Sequence, residues 1–125
     1  MPVVEIRALP QRDGVDIDAA LKAVTTELAA LLNEEPSGTW ATWEEIVPGC
    51  YVEGGDAPHE QPRSTHPPLV RVTAFEGRPP ELVAAMLEAV ADVLAHRLEL
   101  ERGNVFVLYE EARAGRLFTG GEVRG

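Results

Sequence analysis

The second residue of the chain is a proline that could serve as a catalytic base. Methionine before a small residue is normally cleaved, and removal of Met1 would leave Pro2 with a free secondary amine. An ordinary α-amino group has a pKa of about 7.7–8.0, and burial in an apolar pocket lowers it because the charged form is disfavoured. A base whose pKa lies near ambient pH is well placed for proton transfer. Pro2 therefore predicts proton-transfer chemistry. The alternative is that a proline at the second position is only a common start of a chain and has no role.

This chemistry requires a free nitrogen. If Met1 is retained, the Pro2 nitrogen is part of an amide and cannot act as a base. Pro68 is always in that condition, because its nitrogen lies in a peptide bond and is neither basic nor a donor. The chain is therefore expected to have at most one proline-base site.

The histidines and the cysteine form no metal-binding pattern. His59 and His66 fall in a proline-rich stretch, His96 falls in a predicted helix, and no ligand spacing links them to Cys50. No glycine-rich phosphate-binding loop follows a predicted strand. We therefore expect neither a metal nor a cofactor.

The charge balance is acidic, with 11 basic and 21 acidic side chains and a formal net charge of −10. Such a surface repels nucleic acid, and no segment approaches the ~20 continuous apolar residues of a membrane span. A single cysteine excludes an intramolecular disulfide and fits a reducing compartment. With no signal-peptide pattern at the N-terminus, a cytoplasmic protein without nucleic-acid or membrane partners is expected.

The elements that must position Pro2 appear twice, because the sequence repeats itself at an offset of 66 residues without gaps. Between Pro2 and His59, 17 of 58 pairs are identical. Average composition would give roughly four. The identical pairs include prolines, helix leucines, an arginine pair (Arg12 with Arg78) and three glycine pairs. Because the glycines match in register with the rest, we interpret the chain as an internal duplication.

Each copy is predicted to contain a strand, a helix and a second strand. β-branched apolar runs predict the first strands over residues 3–9 and 69–75. Residues 105–109 predict a clear later strand, and its counterpart at residues 40–46 is more polar.

The helices lie between these strands. The first is predicted from an N-cap at Asp16 to about Asn33, with leucines and valine at spacings of three and four. Pro79 and Pro80 suit the start of the second helix, where a missing N–H costs nothing, and Gly103 lies beyond its end.

These elements predict an α+β fold. Residues 1–58 form one β-α-β unit, residues 68–125 form the second, and residues 59–67 form a proline-rich linker that is not expected to pack. The strands within a unit are parallel through a right-handed crossover. Two units related by a pseudo-two-fold give a four-stranded mixed sheet with both helices on one face. Paired glycines near residues 54 and 120 indicate hairpin-like excursions.

This pattern resembles the tautomerase superfamily, with the chain looking like an internally duplicated, fused 4-oxalocrotonate tautomerase. The second copy carries the resemblance at Pro68, Leu69, Val70, Phe75, Glu76, Gly77, Arg78, Gly115, Gly120, Gly121 and Glu122. The first copy carries it at Met1, Pro2, Val3, Val4, Glu5, Ile6, Arg12, Gly49, Gly54 and Gly55. The resemblance implies a trimer, in which three fused chains stand in for six single subunits.

The resemblance also assigns the site. It implies that Pro2 is the general base and that Arg78 of the second unit faces it, binding a substrate carboxylate and the developing enolate. Arg12, the counterpart of Arg78, is expected to be structural or vestigial. The expected substrate-binding residues are Arg78, Phe75, Trp40, Phe106 and Leu117, and a neighbouring chain could supply Trp40 or Phe106.

The sequence departs from the family at several positions. Trp40 and Phe106 stand where a second substrate arginine would fall, and no glutamate stands near Thr119 to activate water for dehalogenation. An apolar pocket with Arg78 as its dominant charge is therefore expected. Further positive charge is considered at Arg71, Arg113 and Arg116.

The function expected from these features is keto-enol proton transfer on a small keto or enol acid by a homotrimeric tautomerase. The alternatives are decarboxylation or hydrolytic dehalogenation of a short acid on the same scaffold, and a non-catalytic trimeric protein.

Overall fold

The computed structural model describes residues 1–125 and consists of two β-α-β units followed by a small hairpin. In chain order the main elements are β1 (Val3–Ala8), α1 (Ile17–Leu32), β2 (Trp40–Glu45), β3 (Leu69–Phe75), α2 (Pro80–Leu98), β4 (Phe106–Ala112), β5 (Phe118–Thr119) and β6 (Glu122–Val123). Short 3-10 turns at Pro36–Gly38 and Arg102–Asn104 lead into β2 and β4. The predicted strand-helix-strand order of each copy is confirmed.

Helix α1 begins and ends through identifiable caps. The Asp16 side chain accepts a hydrogen bond from the Ala19 N–H at 3.0 Å, which satisfies a backbone donor that the first turn leaves free. At the other end, Asn33 adopts the left-handed conformation at φ 55° and closes the last turn. The predicted limits of this helix are confirmed.

Helix α2 begins with Pro80 in its first position and ends at Leu98. The residue after it, Glu99, is also left-handed at φ 58°. The Leu100 N–H donates to the Ala95 carbonyl at 2.8 Å, and the Leu100 side chain packs into the core. Neither helix of the protein combines the length and the apolar character needed to cross a membrane.

The four long strands form one mixed sheet in the order β2-β1-β3-β4. Strands β1 and β2 are parallel, as are β3 and β4, and the central pair β1-β3 is antiparallel. A helical crossover within each unit makes its two strands parallel, whereas the junction between the units is antiparallel.

The strand registers reproduce the repeat of the sequence. Val3 lies opposite Trp40 in the first unit, and their counterparts 66 residues later, Leu69 and Phe106, lie opposite each other in the second. In the central pair Glu5 lies opposite Arg71, which is its own counterpart. A pseudo-two-fold axis therefore passes between Glu5 and Arg71.

Both helices cover the same face of the sheet. Alternate residues of the central strands, including Val4, Ile6, Val70 and Val72, are buried against helix residues such as Leu28. Each such aliphatic side chain contributes about 1.5–3 kcal/mol relative to an exposed one.

The opposite face of the sheet, which we call the open face, is uncovered in the single chain. It exposes Trp40, Phe106 and Leu108 next to two charged residues that lie opposite each other on the central strands, Glu5 and Arg71. Large exposed side chains clustered in this way are typical of an interaction surface.

The linker packs more closely than its composition predicts. Gln61 is buried, and its side-chain amide donates to the Pro62 carbonyl at 3.1 Å and to the Pro67 carbonyl. Asn104 donates to the same two carbonyls at 3.1 Å each. The expectation of an unpacked segment is wrong here. The segment forms no helix or strand, and the two side-chain amides take the place of backbone donors to its carbonyls.

Candidate active site at the N-terminus

The first residues of β1 place the N-terminus beside the second unit. The Pro2 carbonyl accepts a hydrogen bond from the Trp40 N–H at 3.0 Å, which joins it to β2. Pro2 is fully buried, and Met1 precedes it in this structure. The Pro2 nitrogen is consequently an amide here, and the free amine is that of Met1.

A pocket opens at this N-terminus. Its charged lining residues are Glu34, Glu76, Arg78 and Arg124, and its other lining residues are Met1, Phe75, Gly77, Leu117 and Thr119. All but Met1 and Glu34 come from the second unit. The pocket therefore exists only because the two halves of the chain meet.

Arg78 reaches the pocket from the loop between β3 and α2. Gly77 has a φ of 108°, a conformation that favours glycine, and Pro79 fixes the chain as it enters α2. The guanidinium is largely buried. Its Nη1 donates to the Phe75 carbonyl at 3.4 Å, and its Nη2 lies 3.6 Å from Glu34 Oε1.

Glu34 joins Arg78 to the N-terminus. Its Oε2 lies 3.8 Å from the Met1 amine, while Oε1 faces Arg78. One carboxylate therefore lies between the Met1 amine and Arg78, the arginine that the resemblance assigns to substrate binding. Nothing in the sequence pattern around Glu34 predicted this position.

Arg124 is a second cation of the pocket that the sequence did not reveal. Its guanidinium carbon lies 5.9 Å from the centre of the Phe75 ring, within the range of a cation–π contact. The β5-β6 hairpin positions it, since the Arg124 N–H donates to the Leu117 carbonyl at 2.8 Å. Neither Arg71, which pairs with Glu110 on the open face, nor Arg113 or Arg116 lines the pocket.

The expectation of an apolar pocket with one dominant charge is wrong. Two guanidinium groups and two carboxylates line it, and Arg78 is paired with Glu34. Glu76 has a structural task, because its carboxylate accepts a hydrogen bond from the Ala114 N–H at 2.6 Å. The aromatic residues that replace the family's second arginine do not leave the pocket uncharged, because Arg124 enters it from a different element.

The remaining predicted residues divide between two places. Phe75 and Leu117 line the pocket itself. Trp40 lies in an adjoining recess on the open face, lined also by Met1, Val3, Leu117 and Phe118.

Phe106 is absent from both sets of residues. It lies in a separate groove on the open face, and its ring is 6.1 Å from that of His66. Its placement follows from the pseudo-two-fold, since Phe106 is the counterpart of Trp40 and its N–H donates to the Pro68 carbonyl at 3.2 Å. Within one chain, the structure therefore does not bring Phe106 to Pro2.

The equivalent position in the other half is built differently. The residues before Pro68 are held by Gln61 and Asn104, so the linker occupies the place of a second N-terminus. Arg12 donates to the Leu98 and Glu99 carbonyls at 3.3 and 3.0 Å, which caps the C-terminus of α2. The counterpart of Arg78 therefore has the structural role expected for it.

Tyr51, the counterpart of Leu117, does not line the pocket either. The pKa of the Tyr51 hydroxyl is raised well above its ordinary value. Partial burial is the larger cause, and the 3.0 Å hydrogen bond to Glu53 is the second. No group of histidine, cysteine, aspartate and glutamate side chains is arranged to hold a metal ion.

Comparison with known proteins supports these observations. A family-wide sequence pattern described as "Tautomerase enzyme" matches residues 68–125. Proteins of curated function give no match.

Solved structures resemble the whole chain. A fused 4-oxalocrotonate tautomerase (4-OT) described as an asymmetric trimer has a TM-score of 0.82 and 16% identity, covering 97% of this chain and 94% of that one. A member of the cis-3-chloroacrylic acid dehalogenase family has a TM-score of 0.74 and 17% identity, covering 98% and 83%. Macrophage migration inhibitory factor from Oncomelania hupensis has a TM-score of 0.69 and 16% identity, covering 98% and 97%.

The pattern match, the repeated registers and the shared topology agree with one another. Residues 68–125 thus match the tautomerase family, and the whole chain has the fold of the fused 4-oxalocrotonate tautomerases.

Proposed function

We propose that the protein is a tautomerase that moves a proton between oxygen and carbon on a small keto or enol acid, with Pro2 as the base after Met1 is removed. One observation carries this proposal: the N-terminus of the first unit shares a pocket with Arg78 of the second. Base and anion-binding group are the two components that such a reaction requires, and here they come from opposite halves of the chain.

The reaction can be written with these groups alone. The Pro2 nitrogen takes the enol O–H proton, and the oxygen electron pair forms the C=O bond. The C=C pair then takes the proton back from the prolinium at the neighbouring carbon. Arg78 binds the carboxylate and stabilises the charge that develops on the oxygen between the two transfers. The product is an isomer of the substrate.

Arg124 extends the anion-binding part of the pocket. It has no carboxylate within 4.0 Å, whereas Arg78 is paired with Glu34. We therefore assign the first contact with a substrate carboxylate to Arg124 and the contact closest to the reacting oxygen to Arg78.

The same proposal includes a homotrimer. The uncovered sheet face exposes Trp40, Phe106 and Leu108, and closed cyclic symmetry would cover it without forming a filament. The fused 4-OT structures that resemble this chain include asymmetric and symmetric trimers. In such an assembly a Phe106 from a neighbouring chain would complete the pocket.

The test blocks the nitrogen. Mass spectrometry first establishes whether Met1 is absent, and conversion of the enol of phenylpyruvate to the keto form is then followed. A lysine inserted between Met1 and Pro2 keeps the nitrogen in an amide, and we expect the rate to fall by about 10²–10⁴-fold, the contribution of one general base. Pro68→Ala is the matched control and keeps its activity, because its nitrogen is never free.

Activity that survives the inserted lysine would exclude Pro2 as the base. Release of carbon dioxide or halide from short acids, in place of tautomerisation, would assign the pocket to decarboxylation or hydrolytic dehalogenation. Hydrolytic dehalogenation is included because one of the similar solved structures belongs to the cis-3-chloroacrylic acid dehalogenase family.

A further inference from the structure

Glu34 occupies a position that its counterpart in the second unit uses for packing. Both Glu34 and Leu100 follow the left-handed residue that ends a helix, and their N–H groups donate to Ala29 and Ala95 at 2.9 and 2.8 Å. Leu100 is 9% exposed and belongs to the core. A residue two positions past the helix end normally makes such an apolar contact. Glu34 does not belong to the core, and its carboxylate lines the pocket instead.

This carboxylate alters the charge that a substrate meets. Arg78 and Arg124 supply two positive charges, and Glu34 and Glu76 supply two negative ones. With a neutral Pro2 amine, the pocket walls carry no net charge. Arg124, which has no carboxylate partner, and Arg78 would bind the first carboxylate of a substrate. A second carboxylate would find no remaining cation in the pocket and would lie near Glu34.

The recess beside the pocket is mostly apolar. Its apolar lining residues are Met1, Val3, Trp40, Leu117 and Phe118, and its polar ones are Glu5, Thr73 and Thr119. Met1, Leu117 and Thr119 also line the charged pocket. A substrate that extends from Arg78 past the N-terminus would therefore place its far end against aromatic and aliphatic groups.

We propose that Glu34 is a specificity-determining residue that admits acids with one carboxylate and an apolar tail and rejects dicarboxylates. This inference rests on the proposed function, since it concerns the same pocket. The Glu34 side chain is 38% exposed, so the repulsion is reduced by water and salt but acts at short range. A like charge placed against the unwanted ligand is a common way to obtain specificity.

The experiment compares two acids that differ at one end. The enols of phenylpyruvate and of oxaloacetate share the reacting 2-hydroxy-2-enoic acid group. A phenyl group in the first stands where the second has another carboxylate. We expect Glu34→Gln to raise the ratio of kcat/KM for oxaloacetate over phenylpyruvate by about tenfold, the size of one charge repulsion in a partly hydrated site. Glu34→Leu, which copies Leu100, should raise it in the same direction.

Glu35→Gln is the matched control. Glu35 is the neighbouring carboxylate, is exposed and lies outside the pocket, and its substitution changes the net charge equally. The ratio should stay within about twofold in this variant, because distant exposed charges are screened.

A binding measurement separates this inference from the reaction. Calorimetry with the unreactive acids 3-phenylpropionate and succinate requires no catalysis, and Glu34→Gln should tighten succinate relative to 3-phenylpropionate. The inference is overturned if the kcat/KM ratio and the relative binding are both unchanged, or if both acids lose affinity equally. If the binding ratio shifts while no tautomerisation is found, Glu34 selects ligands and the proposed reaction is wrong.

Discussion

At the scale of single residues, the duplication provides its own comparisons. Arg12 and Arg78 occupy equivalent positions, yet Arg12 binds the carbonyls that end α2 while Arg78 lies in the N-terminal pocket. Because the two side chains are chemically identical, only their different surroundings distinguish Arg12, which has a structural role, from Arg78, for which we propose a role in the reaction.

Substitution of Arg78 tests this distinction. Arg78→Ala is expected to lower kcat/KM for enol-to-keto conversion by roughly 10²–10³-fold, about 2.7–4 kcal/mol, because one preorganised donor to the developing oxyanion is lost. Arg12→Ala should leave kcat within a few-fold and lower the free energy of unfolding by about 1 kcal/mol, as expected for lost hydrogen bonds. Equal kinetic effects in the two variants would contradict the assignment.

Arg124 has a different expected signature. Arg124→Gln should raise KM by about tenfold with a smaller change in kcat, because its contact with the carboxylate is made in both the ground state and the transition state. Arg116→Gln, on the same terminal segment but outside the pocket, is the control and should change neither. Steady-state kinetics with phenylpyruvate distinguish the two, and an unchanged KM in Arg124→Gln would remove Arg124 from the site.

At the scale of elements, the two helices are started by different means. Asp16 caps α1 with a side-chain hydrogen bond, whereas α2 begins with prolines and no side-chain cap. Glu34 directly follows Asn33, the residue that caps the C-terminus of α1. The end of this helix therefore positions one lining residue of the pocket.

Loss of the Asp16 cap should destabilise the protein. Asp16→Ala is expected to lower the free energy of unfolding by about 1 kcal/mol, the typical cost of replacing a capping aspartate. Asp18→Ala, which removes the exposed ion pair with Lys22, should cost clearly less, because water screens such a pair. Urea unfolding of the two variants measures the difference, and equal losses would mean that the cap contributes nothing beyond its charge.

At the scale of the whole molecule, one helical layer leaves the other side of the sheet uncovered. Leu108 lies on that open face, while Leu31 is a similarly exposed leucine on α1. The two positions therefore separate the effect of a surface charge from the effect of breaking an interface.

Sedimentation should give a particle of three times the 13.6 kDa chain mass at micromolar concentration. Leu108→Glu is expected to dissociate it, since a charge buried at an apolar interface without a partner is strongly unfavourable. Leu31→Glu should leave the trimer intact. A wild-type chain that sediments as a stable monomer would refute the trimer.

The sequence alone was sufficient for the fold. Helix limits follow from local signals such as Asp16 and Asn33. The 66-residue offset predicts the symmetry of the sheet, because two units of similar sequence adopt the same topology. The family resemblance predicted that Arg78 of the second unit would face the N-terminus, and Met1 and Arg78 do line one pocket.

Only the tertiary structure decided what surrounds that pair. Glu34 lines the pocket from the end of a helix, and Arg124 lines it from the C-terminal hairpin. The pseudo-two-fold places Trp40 near the pocket and its counterpart Phe106 in a separate groove. Contacts between residues so distant along the chain depend on how whole elements pack. Local propensity and periodicity contain no information about that packing, so the charge of the pocket could not be read from the sequence.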